Sequence, residues 1–280
     1  MKEGVVKDLA KKWYELFDFP REYDDEFVQL LEEIDDIEPI KIADFEKRRN
    51  EFDEKETFVL FLYYMQETFN EYKARGISSS VFFKSLATIT GSVSGCKKNK
   101  GYLGIEPDLA DWMMLFITCG TYRFTRYQIG LREALMDVPH LNVKKGDNIL
   151  DIHIPRDGKL SAEKMIEEIN QANEFFAKYF PEKPYEYFTC FSWLLGSNLK
   201  KFLPEEANII KFQNLFEVVH EVESEDIFRY MYDFRIKDRS ELNDWQPQSS
   251  FAKVVKEEGL KGTKFYESYG FIHKDKYKNQ

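Results

Sequence analysis

The sequence predicts an α+β fold, in which a helical N-terminal half precedes a mixed β-sheet flanked by helices. Two observations lead to this prediction. Apolar residues in the first half recur with helical spacing, whereas after Gly120 the period shortens and segments rich in β-forming residues alternate with helical ones. The clearest helical face lies in residues 54–75 and carries Phe58, Phe61, Leu62, Met65, Phe69 and Tyr72.

The N-terminal half contains signals for about six helices. Residues 25–36, 54–75 and 109–119 have one apolar face each. Gly76 stands where a left-handed residue ends a helix, and Ser78 or Ser79 is a suitable N-cap for the next one. The change of period after residue 119 predicts two domains, a helical one over residues 1–119 and a sheet-containing one over residues 120–280.

The C-terminal half alternates strands and helices. Residues 149–154 alternate apolar and polar side chains, and residues 161–180 follow helical spacing up to Pro181. We therefore expect a sheet of five to seven strands in which helices connect some neighbours. The predicted strands cover residues 122–129, 149–154, 187–194, 216–222 and 227–236, and shorter helices cover residues 196–203 and 249–259.

Charge and composition exclude several classes of protein. The net charge of −10 disfavours nonspecific nucleic-acid binding, which needs a basic surface. The longest apolar run, residues 58–65, is too short to span a bilayer, and the N-terminus lacks the apolar core of a signal peptide. Three widely spaced cysteines fit reduced thiols and show no spacing typical of a zinc site. We expect a cytoplasmic protein with no metal and no membrane or nucleic-acid partner.

The corner between strand 149–154 and helix 161–180 is a candidate anion site. The strand stops at Pro155, the chain turns through Gly158, and Ser161 is a suitable N-cap. Free N–H groups and the positive dipole end of a helix favour an anion there, and Arg156 and Lys159 would add charge-assisted hydrogen bonds. A strand-turn-helix corner with solvated charges explains the same residues, so both interpretations remain open.

Candidate catalytic residues follow from the chemistry of this neighbourhood. His153 has an ordinary pKa close to neutral pH, and Asp151 lies two residues earlier on the same strand face, where it would orient the imidazole or raise its pKa. A histidine satisfied by packing is the alternative. On the next strand, Ser192 is a candidate donor to a substrate or a thiolate, whereas Cys190 is interpreted as a buried apolar residue.

Several long motifs resemble a known family. The stretches LDIHIPRDGKLSAEKMIEEINQANEFFAKYFP, YEYFTCFSWLL and ANIIKFQNLF are similar to bacterial acyltransferase-domain proteins. These proteins combine a helical N-acyltransferase-type N-terminal domain with a GNAT-like C-terminal domain. The stretches YKARGIS, DLADWMMLFITCGTYRFTRYQIGL and EEGLKGTKFYESYGFI extend the resemblance over most of the chain.

The resemblance implies an acyl-CoA site between two splayed strands, here residues 149–154 and 187–194. Pantetheine would pair with the backbone of Ile152 and Ile154. Pyrophosphate would lie on the following helix start, with the binding residues Arg156, Gly158, Lys159, Leu160 and Ser161. The family pattern at this corner is Gln/Arg-x-x-Gly-x-Gly/Ala, and this chain departs from it because a single glycine is present and its spacing differs.

The function that follows from the resemblance is direct transfer of an acyl group, expected to be acetyl, from acetyl-CoA or another acyl-CoA to an amine. The acceptor would be an amine-bearing small molecule or peptide. His153 would take a proton, Asp151 would support it, and Ser192 would donate a hydrogen bond. The alternative is a degenerate GNAT-like fold that acts as a non-catalytic binding or regulatory module. The sequence leaves the oligomeric state open.

Overall fold

The chain is described by a computed structural model that covers residues 4–35, 37–232 and 236–278. It divides into two compact units, Met1–Phe124 and Thr125–Gln280. Within the described residues, none of the helices has the length and apolar character that crossing a lipid bilayer requires.

The N-terminal unit is helical, as predicted. Its longest helix begins at a reciprocal capping box formed by Asp53 and Glu56, and Gly76, which the sequence marks as a helix end, adopts a φ of 72° just beyond its last residue. Ser78 caps the next helix. The described helices are α1 (Val5–Leu16), α2 (Asp24–Glu33), α3 (Ile42–Arg48), α4 (Glu54–Ala74), α5 (Ser79–Leu86), α6 (Thr88–Lys100) and α7 (Pro107–Ile117), followed by the short strand β1 (Thr121–Arg123).

Aromatic side chains fill the core of this unit. Trp13 lies 5.4 Å from Phe69 and 5.4 Å from Phe82, measured between ring centroids. Tyr14 stacks on Phe27 at 3.9 Å. Such contacts add to the apolar area that is buried and account for the high aromatic content of the sequence.

The C-terminal unit contains a mixed sheet with strand order β2-β3-β4-β6-β5. Strands β3 and β4 are parallel, and the other described pairs are antiparallel. Helix α8 connects the two parallel strands, as a crossover must. The elements are β2 (Gln128–Glu133), β3 (Asn148–His153), α8 (Ala162–Tyr179), β4 (Tyr187–Ser192), α9 (Asn208–Gln213), β5 (Glu217–Glu223), α10 (Asp226–Met231), α11 (Ser250–Leu260) and β6 (Tyr266–His273).

Two predicted strands are corrected. The strand expected over residues 122–129 is interrupted and its residues belong to β1 and β2. The strand expected over residues 227–236 is wrong at its start, where α10 packs Ile227 and Phe228 into a cluster with Val255; residues 233–235 lie outside the described residues. The bulky aromatic residues of this segment favoured a strand prediction. The segment instead forms a helix in which the adjacent apolar side chains of Ile227 and Phe228 are both buried.

Strand β6 was not predicted from the sequence. It pairs with β4 on one side and β5 on the other, so it lies inside the sheet. A side chain at Gly270 of this strand would clash with its neighbours, because an added Cβ would lie 2.9 Å from the Cβ of Phe216. A glycine and the polar residues Glu267 and Ser268 hide the strand pattern in the sequence.

Candidate functional site

The parallel strands β3 and β4 separate part-way along their length. Their register contains Leu150 opposite Phe188 and Asp151 opposite Thr189, whereas both strands continue further. A cavity of about 320 Å³ opens at this point. Its lining residues come from both strands, from the loop after β3 and from three neighbouring elements: Arg126, Ile152, His153, Ile154, Pro155, Arg156, Gly158, Leu160, Cys190, Phe191, Ser192, Trp193, Leu194, Ile209, Tyr230 and Glu267.

The start of α8 forms the predicted corner at one end of the cavity. The Ser161 hydroxyl oxygen accepts the Lys164 N–H at 3.2 Å, as the N-cap prediction requires. Glu163 accepts a hydrogen bond from the same hydroxyl at 2.8 Å. A hydrogen bond from its own backbone N–H and then the bond from Ser161 lower the pKa of Glu163, so its carboxylate neutralises part of the positive helix end.

The Arg126 side chain holds the loop between β3 and α8 in place by hydrogen bonds. Its guanidinium donates to the carbonyl of Gly158 at 2.8 Å and to that of Lys159 at 3.1 Å. The Arg126 backbone is itself fixed, because its N–H donates to the fully buried carboxylate of Glu168 at 2.6 Å. A Cβ on Gly158 would lie 3.0 Å from Arg126 Nε, so the glycine permits this close approach.

The other predicted cofactor-binding residues lie around the same corner. The Arg156 side chain donates to the carbonyl of Tyr230 and lies beside its ring. Leu160 lines the cavity, as do Ile152 and Ile154 on the β3 side. The structure therefore brings most of the predicted set together at one cavity. Lys159 is exposed on the loop, and Ser161 acts as the helix cap.

His153 lies at the cavity wall with a neutral imidazole at neutral pH. Burial lowers the pKa of His153 to about 4, and the guanidinium groups of Arg126 and Arg132 lower it as well. The expected rise of this pKa under the influence of Asp151 is therefore wrong. Burial raises the pKa of Asp151, whose carboxylate accepts a hydrogen bond from the Thr189 hydroxyl at 3.2 Å.

The two candidate residues on β4 differ in their surroundings. Ser192 lines the cavity and its hydroxyl oxygen accepts the Leu194 N–H at 3.1 Å, so it caps the turn that follows the strand. Its hydroxyl proton is not used by that bond. Cys190 is a free, buried thiol, and burial raises the pKa of Cys190 well above its ordinary value. Its interpretation as an apolar residue agrees with this environment.

Several cavity residues were missed from the sequence. Arg126 precedes β2 and reaches the loop at residues 157–159, more than thirty positions along the chain. Tyr230 and Glu267 come from α10 and β6, the two elements that the sequence interpreted wrongly or not at all. No local pattern marks these residues, because only the pairing of β6 with β4 brings Glu267 to the cavity.

The comparison with known families decides the identity of this fold. Residues 96–272 match the family described as the GNAT-like C-terminal domain. The chain belongs to this GNAT-like family. Residues 6–119 match the N-acyltransferase N-terminal domain. The resemblance and the α+β fold class predicted from the sequence are both confirmed, and no curated protein matches the chain.

Solved acyltransferase structures share the fold of this GNAT-like chain. An acyltransferase in complex with decanoyl-CoA matches with a TM-score of 0.67 and 23% identity over 77% of this chain. An acyltransferase with decanoyl-CoA and teicoplanin matches with a TM-score of 0.68 and 21% identity over 79% of it. The matched regions span 65% and 66% of those two chains, so this protein corresponds to about two thirds of their length.

Proposed function

We propose that this protein is an acyl-CoA-dependent acyltransferase whose site is the cavity between β3 and β4. The observation that supports the proposal most strongly is the early end of the parallel register at Asp151 and Thr189. The β3–β4 register extends no further than Asp151, and the next residues of β3, Ile152 and His153, line the cavity. An extended pantetheine chain would occupy this position as an additional strand does, with hydrogen bonds to the backbone of Ile152 and Ile154.

The loop end of the cavity has the charge that a pyrophosphate needs. Arg126 and Arg156 both line it, and the N-terminus of α8 adds its dipole. Lys159 is exposed on the same loop and adds a further positive charge. The pyrophosphate site therefore consists of Arg156, Gly158, Lys159, Leu160 and Ser161, held in shape by Arg126. Three cationic side chains at this corner, Arg126, Arg156 and Lys159, stand against two carboxylates, Asp157 beside Arg126 and Glu163 at the helix start.

The proposed chemistry is direct attack of an amine on the thioester, without a covalent enzyme intermediate. His153 is neutral at neutral pH and accepts the proton that the amine nitrogen loses after the attack. The bond between the carbonyl carbon and sulfur then breaks, and the thiolate of CoA takes a proton. The Ser192 hydroxyl stabilises that thiolate by hydrogen bonding, and Asp151 supports β3 next to His153 through its bond to Thr189.

The acyl group and the acceptor are also part of what we propose. The solved structures that share the fold include complexes with decanoyl-CoA and with octanoyl-CoA, so a medium-chain acyl group is tested beside the acetyl group predicted from the sequence. One of them also holds the glycopeptide teicoplanin, which supports an amine-bearing acceptor. The same complexes favour catalysis over a non-catalytic binding module. We assign the acyltransferase domain to residues 120–280 and the helical domain to residues 1–119.

Calorimetric titration of the purified chain with acetyl-CoA and with octanoyl-CoA tests this proposal. The parent protein should bind at least one of the two, and the double variant Arg156→Ala/Lys159→Ala should bind about tenfold more weakly because two cationic contacts are lost. The matched control is Lys200→Ala/Lys201→Ala, which removes two exposed charges outside the cavity lining. Equal weakening in both double variants, or no binding by the parent, would contradict the proposal.

A further inference from the structure

Among the described residues that line the cavity, Glu267 is the one acidic residue. It lies on β6 next to Ser268, which is paired with Ser192 at the end of β4. Glu267 therefore lies just beyond the end of the second splayed strand, whereas His153 lies on the first. The two side chains line the same opening from different strands.

The Glu267 carboxylate is partly buried and hydrogen-bonded. Its carboxylate accepts a hydrogen bond from the Ser224 hydroxyl at 2.9 Å. Burial raises the pKa of Glu267 above its ordinary value and the carboxylate of Asp226 raises it further, whereas the bond from Ser224 and the charge of Arg229 lower it. Tyr230 of α10 and Cys190 of β4 face it from the other packed elements, both as neutral groups because burial raises the pKa of each.

The cavity carries charges of both signs. Arg126 and Arg156 line it beside the start of α8, and Glu267 lines it from β6. Phosphate groups bound by the two guanidinium groups leave the carboxylate of Glu267 for a group of positive charge. A primary amine is protonated in neutral water, so it reaches the site as an ammonium ion. Partial burial strengthens the attraction between an ammonium and a carboxylate.

We propose that Glu267 binds the ammonium group of the acceptor amine and takes the proton that the nitrogen must lose before it attacks the thioester. This inference rests on the proposed acyltransferase function and adds a catalytic residue to it. It also defines the acceptor as a cationic amine.

The two proton acceptors then act in sequence. Glu267 takes a proton from the ammonium, and the nitrogen gains a free electron pair. The amine attacks the carbonyl carbon, a carbon–nitrogen bond forms, and His153 takes the second proton from that nitrogen. The carbon–sulfur bond breaks, the thiolate is protonated by the His153 imidazolium, and Glu267 returns its proton to solvent. The products are an amide and free CoA, so atoms and charges balance.

The test compares two nucleophiles on the full chain with octanoyl-CoA as acyl donor. Hexylamine is cationic at neutral pH, and hydroxylamine is largely uncharged and needs no prior deprotonation. Release of the CoA thiol is measured for the parent, for Glu267→Gln and for the control Glu223→Gln. Glu223 is an exposed residue of β5 paired with Lys264 at 2.7 Å, so its substitution removes the same charge away from the cavity. Glutamine retains an oxygen that accepts the Ser224 bond.

Glu267→Gln should lower kcat/KM for hexylamine by about a hundredfold, the usual contribution of a general base, and change the hydroxylamine rate by no more than about twofold. In the same variant the hexylamine rate should rise with pH across the whole neutral range, because only the uncharged fraction of the amine then reacts. Glu223→Gln should behave as the parent does.

The outcomes separate the two proposals. Failure of the parent to bind either acetyl-CoA or octanoyl-CoA in calorimetry contradicts the acyltransferase function itself. Normal octanoyl-CoA binding together with equal losses for both nucleophiles in Glu267→Gln overturns the role of Glu267, because a structural effect would not distinguish the nucleophiles. A parent that binds octanoyl-CoA but shows no rate with hexylamine also overturns it.

Discussion

Replacement of His153 by glutamine should remove a defined part of the acid sensitivity of this protein. The folded chain holds the pKa of His153 at about 4 because the imidazolium is costly to bury beside Arg126 and Arg132. In the unfolded chain the same imidazole has an ordinary pKa of about 6.5. Between these values the unfolded state binds a proton that the folded state does not bind.

The sign and size of the effect follow from proton linkage. Because the fold lowers the pKa of His153, the contribution of its neutral imidazole to the free energy of unfolding is fully present above about pH 6.5. That contribution is lost as the pH falls towards 4. The free energy of unfolding should fall by about 2 kcal/mol between pH 7 and pH 5 through this residue alone, and by about 3 kcal/mol at pH 4. His153→Gln should lack this component, while other groups contribute equally to both proteins.

Two measurements test this reasoning. Urea denaturation at pH 7 and pH 5, followed by circular dichroism, should show the smaller pH-dependent loss in His153→Gln. Nitrogen-15 NMR of the imidazole groups measures the titration directly, since the chain contains four histidines and the variant assigns the missing signal. His140→Gln is the matched control, because His140 is exposed and lies on the surface next to Glu217. Titration of His153 near pH 6.5 would refute the argument, as would equal acid sensitivity of the parent and His153→Gln.

Three further substitutions test the corner and the sheet. Ser161→Ala removes the cap of α8 and should lower the free energy of unfolding by about 1 kcal/mol in urea denaturation, whereas an unchanged value would show that the cap contributes nothing. Gly158→Ala places a methyl group 3.0 Å from Arg126 Nε and should weaken octanoyl-CoA binding in calorimetry by about threefold with little loss of stability; unchanged binding would separate loop shape from affinity. Gly270→Ala overpacks the sheet against Phe216 and should lower the urea midpoint by the equivalent of about 1–3 kcal/mol, and a parent-like midpoint would contradict the packing described.

Much of the local structure was readable from the sequence. Apolar spacing predicted α4 and α8, and α8 begins at the predicted cap, Ser161. Alternation predicted β3. The corner between β3 and α8 was also recognised as the part of the chain suited to an anion. These features depend on contacts between residues a few positions apart, so the sequence determines them directly.

The set of side chains that line the cavity depends on contacts between residues far apart in the sequence. Arg126 reaches the loop of Gly158, and β6 enters the sheet between β4 and β5 and brings Glu267 to the site. The same packing reversed the expected pKa shift of His153, because burial and two guanidinium groups outweigh any effect of Asp151. The sequence by itself therefore determined α4, α8 and β3, the fold class and the location of the corner. Only the tertiary structure decided which side chains share the cavity and which of them carry charge, because strand pairing and desolvation arise from the packed fold as a whole.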